Sequence, residues 1–164
     1  MSKVIEMSLS TSSIANAISE LKSFRASLEQ KKNKMLEKLA DIGLREASIR
    51  FTTAMYDGVN DSHVTLIPIK EGYAIVAEGY AVAFIEFGSG VYHNSGEPYP
   101  DPRPEGIVGI GEYGKGYGKR QTWVYCDVTG EKVFTHGNPA AMPMWYASEE
   151  MRSKITKIAE EVFG

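Results

Sequence analysis

The sequence predicts an α+β domain: a long N-terminal helical region, a small antiparallel or mixed sheet built from two hairpins, a C-terminal helix packed on the sheet, and a long Gly/Pro-rich loop. Three observations predict it. No proline occurs between Thr11 and Tyr56, where helix formers dominate. Residues 63–79 and 122–135 switch to the period-two pattern of strands around glycine turns. Beyond Pro143 the apolar residues return to helical spacing.

The helical region starts near Ser12 or Ser13, whose hydroxyls can accept the free amides of a first turn. Ile14, Leu21, Leu28, Met35, Ile42 and Ile49 fall seven apart. Their companions four residues on are mixed: Ile18 and Leu39 are apolar, Arg25, Lys32, Glu46 and Thr53 are not. A full coiled coil requires both sets apolar, so the stripe predicts a helix lying on a sheet, or partly on a neighbouring chain. Uninterrupted, about 40 residues would span about 60 Å, long for a domain of this size. Gly43 is the expected kink or break, because glycine costs about 1 kcal/mol relative to alanine inside a helix.

Asp57-Gly58 to Asp61 supplies turn chemistry that closes the helical half. Residues 63–70 and 72–79 then read as a hairpin turning at Glu71-Gly72. Pro68 has no amide to donate, which puts its strand at an edge or turns that position away from the ladder. Tyr80 to Phe87 fits a strand by alternation and a short helix through Ala81, Phe84 and Ile85. Residues 88–121 hold nine of the 16 glycines and prolines at 98, 100, 102 and 104, so an extended loop is expected there. Its acids, Glu97, Asp101, Glu105 and Glu112, precede its bases, Lys115, Lys119 and Arg120. Residues 122–126 and 132–135 form the second hairpin around Thr129-Gly130. Pro143 suits a first helical position, Glu149 and Glu150 lie near the positive end of the helix dipole, and Met144, Met151, Ile155, Ile158 and Val162 make one apolar face. The whole, residues 1–164, is expected to be one domain with 1–10 flexible.

Composition narrows the function. Hydrophobic content of 43% and charged content of 24% are ordinary for a globular protein. A net charge of −3 and pI near 5.7 argue against general affinity for nucleic-acid phosphates. A single cysteine, Cys126, cannot close an internal disulfide and fits synthesis in a reducing cytosol. No apolar run approaches the roughly 20 residues of a membrane helix, and no secretory signal pattern opens the chain.

The motif with most apparent chemistry is GIGEYGKGYGKR, residues 109–120. Gly109, Gly111 and Gly114 match the dinucleotide fingerprint, but that motif works by delivering glycines from a strand to a helix whose free amides hold pyrophosphate. GKGYGKRQ predicts no helix, and Asp127 and Glu131 fall in a hairpin turn where the ribose-binding acid should sit on a strand. The phosphate-loop match fails because Gly116, with no hydroxyl for magnesium, follows Lys115. No nucleotide or other cofactor is expected.

His63, His93, His136 and Cys126 lack metal-site spacing. Ser89 in FGSG does not satisfy GxSxG, and Glu149 and Glu150, adjacent on a helix, point apart. No catalytic or metal residue is therefore assigned. The cluster Tyr113, Lys115, Tyr117, Lys119 and Arg120, with Trp123 beyond it, offers a surface for a partner protein or for weak, salt-sensitive contact with DNA.

The order of features resembles a known family over residues 12–163. YAVAFIEFGSG at 80–90 matches its "A…EFGT" segment through Ala81, Glu86, Phe87 and Gly88, with Ser89 where threonine is common. A TWVY…TG hairpin follows, and THGNPAAMPMWYASEEMRSKI resembles its "G…P.PFM..A" lead into a C-terminal helix through Gly137, Pro139, Pro143, Met144 and Ala147. The loop at 91–121 is longer than many relatives carry. The family is that of neck or tail-completion proteins, also called minor tail components, of long-tailed bacteriophages and prophages.

The resemblance implies a short helix at 80–87 and a non-enzymatic virion protein made in the bacterial cytoplasm. It implies a ring, typically hexameric, at the head–tail junction, stacked between connector or head-closure proteins and tail-tube or terminator proteins. Double-stranded DNA would pass through without sequence-specific binding. A tail-terminator or head-closure role in the same particle is the nearest alternative. A small nucleotide- or nucleic-acid-binding protein using the glycine loop is the alternative of another class.

Overall fold

The computed structural model describes residues 4–56, 58–88, 122–127 and 129–164. Its elements are α1 (Thr11–Thr53), β1 (His63–Ile69), β2 (Gly72–Glu78), α2 (Val82–Phe87), β3 (Trp123–Cys126), β4 (Lys132–Thr135) and α3 (Pro143–Phe163). The predicted α+β class holds, and the short helix at 82–87 replaces the strand alternative. The expected single sheet is instead two: β1 pairs with β2 and β3 with β4, each antiparallel, with no ladder between the pairs among the described residues.

α1 is 43 residues of helix, about 64 Å at 1.5 Å per residue. Its cap is Ser10 rather than Ser12 or Ser13: the Ser10 hydroxyl accepts from the Ser13 amide at 3.3 Å. The helix does not break at Gly43. Gly43 is buried, and a Cβ there would lie 2.5 Å from Ile75 Cδ1 and 2.6 Å from Met151 Sδ. Glycine therefore serves close packing of α1 against β2 and α3, and the propensity cost is offset by that approach.

The row that faces the domain is Ala40, Gly43, Ala47 and Phe51, spaced three or four apart, and not the seven-residue stripe. A straight helix drifts about 20° per heptad against a 3.5-residue repeat. Over the five heptads from Ile14 to Ile49 the stripe therefore winds about 100° round the helix. Met35 and Ile42 are half-buried, while Ile49 at the far end is 53% exposed.

α3 runs antiparallel along the C-terminal half of α1. Arg50 stacks over Tyr146 at 3.9 Å, Lys38 Nζ meets Glu161 Oε2 at 2.7 Å, and Lys31 lies over Phe163 at 5.9 Å. Its inward residues are Ala147, Met151, Ile158 and Val162; Ile155, expected on that face, is 43% exposed. The core is centred on Phe51, Ala81 and Ile85, joined by Val64 and Ala77 from the first hairpin and Met144 from α3. α1, the first hairpin, α2 and α3 thus share one core.

In the first hairpin Ile69 pairs with Gly72 across the turn and Pro68 with Tyr73. Residues alternate between bonded and non-bonded pairs in such a ladder. Pro68 sits one step from the bonded closing pair, where its missing donor is not needed. In the second hairpin Asp127 organises the turn: its Oδ1 accepts from the Thr129 hydroxyl and from the amides of Thr129 and Glu131 at 2.7–3.0 Å.

Candidate functional site

The residues that carry the family resemblance gather at one place, the joint between α2 and the start of α3. Ala81 opens α2, is 1% exposed and lies in the core. Asp61, from the loop before β1, holds this end of α2: its carboxylate oxygens accept from the Tyr80 and Ala81 amides, both at 2.8 Å. Those two hydrogen bonds, Ala81's foremost, keep the Asp61 carboxyl below its ordinary range.

One turn later Glu86 is 3% exposed, a carboxylate inside the apolar run VAFIEF. It reaches across to α3. Its Oε2 accepts from the Met144 amide at 2.8 Å and its Oε1 from the Trp145 amide at 3.0 Å. The first turn of a helix leaves amides without acceptors. Here Pro143 has no amide to satisfy, Glu86 takes the next two, and the Tyr146 amide donates to the Met142 carbonyl at 3.0 Å. The Met142 side chain makes no cap, and its left-handed backbone, φ 52°, ends the incoming chain so that Pro143 can start the helix.

The negative charge expected at the start of α3 is therefore supplied by Glu86 from α2. Glu149 and Glu150 lie beyond the first turn and pair with Arg152 and Lys154.

The backbone completes the joint. The Ala141 amide donates to the Ile85 carbonyl at 2.9 Å. Gly88 has φ 78°, and a Cβ there would lie 2.8 Å from the Ala140 nitrogen and 2.9 Å from the Asn138 oxygen. Gly137 has φ 81° and donates its amide to the buried Thr135 hydroxyl at 3.0 Å. Phe87, Asn138, Pro143 and Ala147 are buried, and Pro139 and Met144 half-buried, around these contacts. Both glycines of the resemblance have positive φ, and its glutamate is an interelement cap. Among the described residues the joint is built from helix-capping and backbone hydrogen bonds, which make it a rigid corner.

A second feature is the N-terminal half of α1. α3 ends at Phe163, under Lys31, so residues 11–30 run on beyond it. Ile14, Ile18, Leu21, Phe24 and Leu28 on this stretch are 36–55% exposed. Isolated apolar residues on a surface are ordinary, whereas a row along one helix face marks a contact surface.

Tyr113, Lys115, Tyr117, Lys119 and Arg120, the glycine motif at 109–120, Ser89 and His93 lie outside the described residues. The first described element after the motif is the strand β3. His63 and His136 sit on different hairpin segments, and among the described residues no group of three His, Cys, Asp or Glu side chains is placed to hold a metal ion. Among them, too, no helix is long and apolar enough to cross a membrane.

Asp61 and Ser10 were not singled out by sequence reasoning. Turn-forming residues just before a strand or helix were their only signal. Glu86 carried a stronger one, a charge in an apolar hexapeptide. Compared with known proteins, the chain matches no family model, no curated protein and no solved structure.

Proposed function

We propose that the chain is a non-enzymatic structural subunit of a tailed-phage particle, forming a ring at the head–tail junction. In that ring it would join the connector to the tail tube and surround the DNA path, as the resemblance implies. The observation that carries this reading is the mismatch between α1 and its own domain. The helix extends about 20 residues, or about 30 Å, past α3 with an apolar row uncovered. Most helical stability in a protein comes from packing of an apolar face rather than from intrinsic propensity, so a stretch of this composition is suited to packing against a neighbour.

Support also comes from the joint, where the resemblance residues make a rigid corner between α2 and α3. A ring needs such rigidity, because head-to-tail contacts close only if each subunit presents its two surfaces at a fixed angle.

Light scattering over a concentration series, with negative-stain imaging of the largest species, tests the assembly. Closed rings with an opening wide enough for duplex DNA are expected. Nucleotide binding through the glycine loop is the reading from another class, and thermal-shift titration with ATP and NAD separates the two. No change in melting temperature is expected, and clear stabilisation by either nucleotide would contradict the structural assignment.

A further inference from the structure

Among the described residues each of the four strands is a sheet edge, and the edge of β2 is built differently from the rest. Ile69 and Gly72 close the first hairpin as a bonded pair, so every second residue turns its amide and carbonyl outward: Val64, Leu66 and Pro68 on β1, and Tyr73, Ile75 and Ala77 on β2. Pro68 breaks the outer row of β1, since it has no amide to donate. β3 and β4 are four residues each, and Lys132 stands in the outer row of β4. Short, charged or proline-bearing edges discourage pairing. β2 has none of these features. Its residues 72–77 carry no charge and no proline, and the outward groups of Tyr73, Ile75 and Ala77 meet no hydrogen-bond partner among the described residues.

The segment ahead of α1 has the complementary form. Ile5, Met7 and Leu9 alternate with Glu6, Ser8 and Ser10, the period of a strand. Among the described residues the segment joins no sheet, and the backbone groups of Ile5, Met7 and Leu9 have no hydrogen-bond partner. Met7 is 59% and Leu9 95% exposed. The segment cannot reach β2 of its own chain. Ile75 lies against Gly43, about 48 Å along α1 from Thr11, whereas the stretch from Met7 to Thr11 spans at most about 14 Å. Any pairing between the two is therefore between molecules. We propose that residues 4–9 add to the open edge of β2 in a second copy, as an antiparallel third strand with Met7 opposite Ile75.

Direction and register follow from the groups available. An antiparallel strand bonds through Ile5, Met7 and Leu9, whose backbone groups are open. A parallel strand would bond through Glu6 and Ser8 instead, and the Ser8 amide already donates to Ser13 Oγ at 2.9 Å. With Met7 opposite Ile75, Ile5 meets Ala77 and Leu9 meets Tyr73 on the face that packs on α1, while Glu6 meets Val76 on the other face. Met7 opposite Ala77 would set Glu6 against Glu78, and Met7 opposite Tyr73 would set Leu9 against Glu71. The bend at Leu9 and Ser10 turns the segment off the axis of α1. The inference rests on the ring reading in one respect, that the neighbour is another copy of this chain. A segment of one copy received by a different surface of the next is a head-to-tail contact, the kind that closes a ring.

Disulfide trapping between full-length chains tests it. Ser8 and Ala74 face each other in this register as a non-bonded pair, whose Cα separation of about 4.5 Å suits a disulfide. In a Cys126→Ser background, chains carrying Ser8→Cys are mixed with differently tagged chains carrying Ala74→Cys. Under mild oxidation the mixed dimer should form at least about tenfold faster than when Thr65→Cys, one strand further away on β1, replaces Ala74→Cys. Met7→Pro removes an amide that donates to Ile75. It should slow the mixed cross-link severalfold and leave the urea midpoint unchanged, because Met7 lies ahead of α1. Equal rates at Ala74→Cys and Thr65→Cys, or no slowing by Met7→Pro, would overturn the strand addition. Rings that form without the mixed cross-link refute the strand addition and spare the ring. A chain carrying both cysteines that cross-links only into open-ended polymers supports the strand addition and counts against the ring.

Discussion

Glu86 is a buried carboxylate whose two oxygens end a helix that starts 57 residues later in the chain. Glu86→Ala would leave the Met144 and Trp145 amides without an acceptor. Hydrogen bonds to a charged group are each worth about 1.5–3 kcal/mol, so the variant should lose at least about 2 kcal/mol in urea unfolding, and Glu86→Gln, which keeps one acceptor oxygen, should lose less. Gly43 and Gly88 make opposite predictions from similar-looking clashes. At Gly43 the obstructing atoms are the tips of Ile75 and Met151, which can move, and alanine recovers about 1 kcal/mol of helix propensity. Gly43→Ala should therefore change stability by less than about 1 kcal/mol, whereas Gly43→Leu overpacks the site and should cost about 1–3 kcal/mol. At Gly88 the obstruction is backbone and φ is positive, so Gly88→Ala should cost more than about 2 kcal/mol. The same denaturation series checks all five substitutions.

At the scale of elements, α2 is six residues long and exists because it is held at both ends. Asp61 holds the first end, and its depressed carboxyl makes that hold pH-dependent. The folded pKa lies below the unfolded value of about 3.8, so the stabilisation is complete above that value. It is lost as pH falls through the folded pKa. Urea midpoints followed from pH 6 to pH 3 should drop more steeply for the native chain than for Asp61→Asn, which has no carboxyl to protonate.

The elements themselves were largely legible from residues: proline-free helix, period-two hairpins and Pro143 all appear where the patterns put them. What was not legible came from contacts between elements. Gly43 reads as a helix breaker until Ile75 and Met151 are seen beside it, and Glu149 and Glu150 read as dipole partners until Glu86 is seen to occupy that role. The two hairpins read as one sheet because each has an open edge, and the sequence has no signal for whether such edges meet. Of the candidate site, Glu86 and the glycines at 88 and 137 stood out by residue type, while Asp61 did not, since an acid before a strand is ordinary turn chemistry.

At the scale of the whole molecule, the proposed reading gives the domain and the projecting half of α1 separate jobs. The core around Phe51, Ala81 and Ile85 is remote in sequence from residues 11–30, and Ile14 and Leu21 are 38% and 55% exposed. Ile14→Ser/Leu21→Ser should therefore leave the unfolding midpoint of the domain within about 0.5 kcal/mol of the native value. Assembly should fail in the same variant, read as loss of the largest species in light scattering. A large loss of stability would mean that the stripe belongs to the chain's own core. The central claim is a place in a particle, and the most direct measurement is antibody labelling of purified tailed particles released by cells that carry this gene. The account predicts label confined to the junction of head and tail. Particles without label, with the protein left entirely in the cell lysate, would contradict it.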